Sequence, residues 1–364
     1  MRICICGGGS LGHVIAGKIA DKGEQVSILT RQPDKWNKEL QVDDCAGNLF
    51  RGKLACVTHK AELVIPDADI ILLCLPGFAL QSVLELIAPY LSERTYVGSV
   101  VCCTGFFFMA YNVLGKQVPL FGFQRAPYIA RVAKYGESAH LLGYKKELQI
   151  ATVNIPEPLS LQNELQNLLD TPVRLLNHFL EASLTNSNPL LHPARLYGLF
   201  HNWEDKTIYS TIPGFYNSWD DASSELLIAC DREFHQILSA LPVEIEQIPT
   251  LLDYYESTDA ISLTRKIRSI DAFKGILTPM KQVKNGYIPD FESRYFLEDI
   301  PFGLLIIKSI AEILQVKTPN IDKILLWGQT MIGKQYLQNG HLCGKDLSYS
   351  GYVSPQLFQE LVKR

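Results

Sequence analysis

Apolar residues follow two rhythms along this chain. Up to about residue 180 they form short runs, at 3–6, 25–29, 70–75, 96–101, 119–123, 149–153 and 173–176, separated by helix-compatible stretches. Runs of this length, rich in β-branched residues, predict buried strands, and their alternation with helices predicts a parallel, doubly wound α/β sheet covered on both faces. After Asn177 the rhythm changes to helical spacing. Leu226, Leu227, Ala229, Phe234, Ile237 and Leu238 mark a helix over 223–241. Others are predicted over 299–314, with Pro301 in the first turn, and over 320–332. The expected plan is an α/β Rossmann-type domain over 1–180, an all-α domain over 181–364, and a cleft between them.

The first strand runs into a glycine-rich turn, Gly7-Gly8-Gly9-Ser10-Leu11-Gly12, and His13 to Ala20 continue as a helix. Gly7, Gly9 and Gly12 have GxGxxG spacing in strand–turn–helix context, which marks a dinucleotide site. Gly7 serves the tight turn, Gly9 the approach of backbone to pyrophosphate, and Gly12 the packing of helix on strand. Ser10 and Leu11 open the helix, whose free N–H groups and dipole favour phosphate. Strand 70–75 ends at Leu75-Pro76, which the topology of such sheets places beside the dinucleotide.

The second strand ends Leu29-Thr30-Arg31-Gln32, with no acid before Asp34. An NAD site ordinarily carries a carboxylate there for the ribose 2′-hydroxyl. Thr30 can donate a hydrogen bond instead, and Arg31 can pair with a 2′-phosphate. NADP(H) is therefore expected over NAD(H).

Composition narrows the class. The 364 residues suffice for two domains, and a net charge of −4 makes no case for nucleic acid. No apolar run reaches the length of a membrane span, and the glycines at 7–9 interrupt any signal-peptide core. Nine cysteines, including Cys4, Cys6 and Cys74 in strand regions and adjacent Cys102-Cys103, read as reduced core thiols of a cytoplasmic protein. No cluster has metal-ligand spacing, so no metal is expected.

Two stretches of the helical half carry candidate chemistry. Residues 185–195 read TNSNPLLHPAR, and residues 292–304 read ESRYFLEDIPFGL. The chain resembles the opine dehydrogenases of octopine and nopaline type on these residues. The Asn-x-x-x-His-Pro motif is matched by Asn188 and His192-Pro193. The Arg-Tyr-x-x-Glu-Asp-Ile-Pro-Phe-Gly-Leu motif is matched from Arg294 to Leu304. With the glycine loop, the likeness spans the whole chain in order.

The resemblance implies reductive condensation of an α-keto acid with the amine of an amino acid, through an imine reduced by NAD(P)H. It implies that His192 is the proton-transfer group, that Asp299 orients and charges it, and that Arg294 grips the keto acid carboxylate. Asn188 falls in the role of a substrate-contacting or conformational residue. The chemistry agrees: reduction of C=N needs a proton at the heteroatom, histidine exchanges protons near neutrality, and guanidinium binds carboxylate bidentately. Read without the family, Asp299 also fits a helix cap, and Arg294 a partner for Asp290 or Glu292. The segment 124–131 keeps the family's Pro127, Tyr128 and Arg131 but has Gln124 where an acid is usual.

Two rivals share the architecture. One is a 2-keto acid reductase related to ketopantoate reductase, which relies on a lysine in the first helix of the helical domain. The other is a non-catalytic NADP(H) sensor, which needs no proton donor. The expected partners are small-molecule substrates, without nucleic acid or membrane, and a homodimer stays open.

Overall fold

A computed structural model describes residues 1–102, 105–205, 207–245 and 248–363. The chain forms two compact units, Met1–Ser183 and Leu184–Lys363.

The first unit begins β1 (Arg2–Cys6), α1 (Ser10–Asp21), β2 (Gln25–Leu29), β3 (Glu39–Asp44), β4 (Leu49–Lys53) and β5 (Cys56–Thr58). It continues β6 (Ile70–Leu73), α2 (Gly77–Ile87), β7 (Tyr96–Ser99), α3 (Phe106–Leu114), β8 (Leu120–Phe123), β9 (Tyr128–Lys134) and β10 (Ser138–Tyr144). It closes with β11 (Leu148–Val153), α4 (Pro158–Leu169), β12 (Val173–Leu175) and α5 (Leu180–Ser183). Eight strands form one sheet in the order β12-β11-β8-β7-β6-β1-β2-β5. The chain goes from β1 to β2 on one side and returns to β6 on the other, so the switch point lies at the carboxyl end of β1. The apolar runs became these strands because β1 and β6 are covered on both faces; Ile3 to Cys6 and Ile70 to Leu73 are all buried. The sheet is not purely parallel, since β11 runs antiparallel to β8.

A second sheet, β4-β3-β10-β9, was not expected from the pattern. It packs on α1, so that helix is sandwiched between two sheets. Its strands alternate buried and exposed positions, as in Glu39–Asp44. Its central pairing joins Gln41 to Ser138, far apart in sequence.

The second unit is helical: α6 (Asn188–Phe200), α7 (Asp221–Ser239), α8 (Leu251–Tyr254), α9 (Ala260–Ser269) and α10 (Arg294–Leu297), then α11 (Leu305–Ile313), α12 (Pro319–Met331) and α13 (Pro355–Val362). Two short hairpins qualify the all-helical expectation, β13–β14 (Met280–Val283 with Gly286–Pro289) and β15–β16 (Leu337–Gln338 with His341–Leu342). The helix expected over 299–314 is broken. Ile300–Leu304 is a π-helical turn in which the Leu304 amide donates to the Asp299 carbonyl at 2.8 Å, and α11 begins only at Leu305. Pro301 has no N–H to donate, and Phe302 lies outside helical dihedrals (φ −117°, ψ 16°). Such wide turns recur at functional sites.

No helix among the described residues is long and apolar enough to cross a membrane. Among the described cysteines, Cys4, Cys6, Cys102 and Cys230 are buried and Cys45 and Cys343 exposed. Cys74 lies one residue past β6 and is only half-buried, and Cys103 is outside the described residues.

Candidate active site

The glycine turn in the first unit brings β1 and α1 into close backbone contact. Gly7 has φ +117°, and a Cβ there would lie 2.5 Å from the Cys74 carbonyl oxygen. A Cβ on Gly12 would collide with the Gly7 carbonyl oxygen, so strand and helix can approach this closely only without side chains. A Cβ on Gly9 would meet nothing within 4 Å, which leaves its backbone open to a ligand. The Val132 amide donates to Ser10 Oγ at 3.2 Å. Leu11 packs on the core. Leu75 reaches within 3.0 Å of the Cβ position at Gly7, and Pro76 caps α2. These features fit a dinucleotide.

Residues that sequence reasoning did not single out complete this region. His13 is fully buried. Its Nδ1 contacts the Gly9 carbonyl at 2.9 Å, and its Nε2 accepts the Gly136 amide at 2.8 Å. Nε2 accepts, so the proton lies on Nδ1, and burial pushes the ring towards its neutral form. The ring stacks on Trp36 at 4.2 Å. His13 thus ties the glycine turn to the β9–β10 turn. That turn brings the Tyr135 hydroxyl within 3.5 Å of Thr30 Oγ1, while Arg31 is exposed. The only local signal was a histidine on the buried face of α1.

Gln124, where the resemblance implies an acid, is engaged by α5. Its side-chain amide donates to the Glu181 carbonyl of α5 at 2.8 Å. A carboxylate has no proton to give there.

In the second unit, α6 starts at Asn188 with Pro189 in its first turn and Pro193 inside it. His192 is buried on this helix, and Asn188 is exposed at its start. His192 Nδ1 lies 2.8 Å from Asp299 Oδ2, across 107 residues of sequence. Asp299 stands at the head of the π-helical turn, which packs against α6. A carboxylate only accepts, so Nδ1 carries the proton and Nε2 is the nitrogen left able to exchange one. Nε2 lies 2.9 Å from the Tyr216 hydroxyl. The Tyr295 ring meets the imidazole edge-on at 4.6 Å. Arg294, its neighbour, is exposed, and its side chain makes no hydrogen bond or ion pair among the described residues. It therefore pairs with neither Asp290 nor Glu292 and is available to a ligand.

Residues 175–332 match the family model described as NAD/NADP octopine/nopaline dehydrogenase, alpha-helical domain. Residues 3–103 match the ketopantoate reductase PanE/ApbA model. An octopine dehydrogenase of Mizuhopecten yessoensis is 31% identical over 96% of this chain and 94% of its own. The chain belongs to the opine dehydrogenase family. A tauropine dehydrogenase of Arabella iricolor is 30% identical, over 95% of each chain. A solved octopine dehydrogenase with NADH and L-arginine superposes with a TM-score of 0.87 at 29% identity, covering 100% of this chain and 98% of that one. The ketopantoate reductase model matches only residues of the first unit, and the octopine/nopaline dehydrogenase model covers most of the helical unit.

Proposed function

We propose that this opine dehydrogenase-family enzyme condenses an α-keto acid with the amine of an amino acid and reduces the resulting imine, preferring NADPH. The observation that carries the reading is the His192–Asp299 pair, which unites the two motifs of the helical unit at 2.8 Å.

The dinucleotide, when bound to Gly7, Gly9, Ser10, Leu11 and Gly12 beside Leu75 and Pro76, supplies the hydride. The chain's own residues handle the proton and the carboxylate. His192 Nε2–H gives its proton to the hydroxyl of the carbinolamine, the C–O bond breaks as the amine nitrogen's lone pair forms C=N, and water leaves an iminium ion. The Nε2 electron pair stays on the ring, now neutral, with Nδ1–H still donated to Asp299. The same nitrogen takes the proton back in the reverse direction. Asp299 stabilises the imidazolium and holds the tautomer. Arg294 offers its planar fork to the keto acid carboxylate. Asn188, exposed at the start of α6, is the substrate-side contact on that helix.

A lysine-based reductase finds no support, because α6 contains no lysine. A binding-only sensor has no use for a buried histidine with a carboxylate at Nδ1. The decisive assay is a matrix of α-keto acids, starting from pyruvate, against amino acids, arginine and taurine, following NADPH oxidation. Oxidation that requires both partners is expected. Oxidation with keto acid alone would select the reductase, and none with any pair would favour the sensor.

Thr30 in place of an acid, exposed Arg31 and the nearby Tyr135 hydroxyl support the NADP(H) preference. A charge-assisted hydrogen bond contributes about 1.5–3 kcal/mol, so NADPH should bind roughly tenfold or more tightly than NADH. Fluorescence titration with both nucleotides measures this; equal or inverted affinities would remove the preference.

A further inference from the structure

We propose that Tyr216 is a positioning residue for proton transfer, its hydroxyl holding the Nε2 of His192 in both protonation states of the ring. The inference rests on the reading of His192 as the proton-transfer group. Asp299 secures only one end of the imidazole, at Nδ1. The torsion that turns an imidazole about its Cβ–Cγ bond is broad, so a second contact at the far nitrogen is what fixes the ring plane. At 2.9 Å the Tyr216 hydroxyl supplies it.

A hydroxyl suits this place better than other polar groups. It donates to the lone pair of neutral imidazole and accepts the N–H of imidazolium. A carboxylate could do only the second and an ammonium only the first. The ring can therefore lose and regain a proton without turning. Burial pushes the Tyr216 phenol well above its ordinary range, and Tyr295, Tyr255 and Asp299, the titratable groups facing it, push the same way. The phenol thus stays protonated through neutrality.

Tyr216 is itself held firmly. Its ring stacks on Phe273 at 4.0 Å and 14°, and Phe215 meets it edge-on at 4.9 Å. Its carbonyl accepts the Trp219 amide at 3.0 Å. Beneath the loop, the buried Arg195 guanidinium donates to the Phe215 carbonyl at 3.0 Å and to the Ser218 carbonyl at 2.5 Å. It also pairs with Asp220 at 2.6 Å. Arg195 lies one helical turn beyond His192 on α6. One helix thus carries both the imidazole and the anchor of the loop that holds its partner.

Tyr216→Phe removes the hydroxyl and keeps the stacked ring. Turnover should fall about tenfold, with KM for both substrates and the NADPH Kd within about twofold of the parent, the loss of roughly one hydrogen bond. The limb of the kcat–pH profile that depends on a protonated group should move to lower pH, because the imidazolium loses the stronger, charge-assisted bond. Turnover within twofold of the parent with an unmoved limb would overturn the proposal. So would a drop that is uniform across pH, which is the mark of a purely structural role. His192→Gln, assayed in parallel, separates the two readings. If it retains parental turnover, the histidine assignment fails. If it is inactive while Tyr216→Phe behaves as the parent, only the tyrosine assignment fails.

Discussion

Replacing His192 with glutamine should lower turnover by about 10²- to 10⁴-fold, the range for a general acid–base residue. Glutamine retains a polar end near Tyr216 but cannot carry an exchangeable proton. The loss should appear in kcat, because the proton moves only in the transition state, and interactions confined to that state affect rate rather than binding. NADPH affinity should be unchanged, since the glycine turn belongs to the other compact unit. Steady-state kinetics and a nucleotide titration on the same preparation are sufficient. A variant with turnover within a few-fold of the parent would remove His192 from the chemistry and leave the Asp299 contact as a structural pair.

Gly12→Ala should damage both the stability and the nucleotide affinity of the first unit. The new Cβ would strike the Gly7 carbonyl oxygen, which is backbone and cannot swing aside as a side chain would. Overpacking of this kind typically costs about 1–3 kcal/mol. The helix must move off the strand, which also displaces the N–H groups meant for pyrophosphate. The melting temperature should fall, and NADPH and NADH should both bind at least about tenfold more weakly. Gly9→Ala is the counterpart. Its Cβ meets no protein atom within 4 Å, so the fold should melt as the parent does while dinucleotide affinity drops. Unchanged affinity in Gly9→Ala would show that the ligand does not lie on that peptide. Unchanged melting and affinity in Gly12→Ala would show that helix and strand have room to spare.

Much of this was legible in the chain. Buried parallel strands are covered on both faces, so they write themselves as continuous apolar runs, and β1, β2 and β6 appear where those runs stand. The glycine spacing was informative because each position answers to a local steric demand. The second sheet was not legible. Leu40 and Val42 point inward between polar neighbours, a weak alternation over few residues, and beyond the adjacent β4 the other partner strand, β10, lies almost a hundred residues away. The wide turn at Ile300–Leu304 was read as an ordinary helix start, because proline is welcome in a first turn and the pattern says nothing of which carbonyl each amide reaches. Tyr216 and Tyr135 gave no signal at all, being single aromatics in loop and turn.

The sequence by itself determined the local conformations and the chemical inventory: strands, the glycine turn, an imidazole, a carboxylate and a guanidinium in recognisable motifs. Only the tertiary structure decided which atoms meet. It joined Nδ1 of His192 to Asp299, set a tyrosine hydroxyl on Nε2, left Arg294 unpaired among the described residues and bound Gln124 to α5. The physical reason is range. Backbone preference and side-chain periodicity act over a few residues, whereas a hydrogen bond between segments 107 residues apart depends on how every intervening element packs.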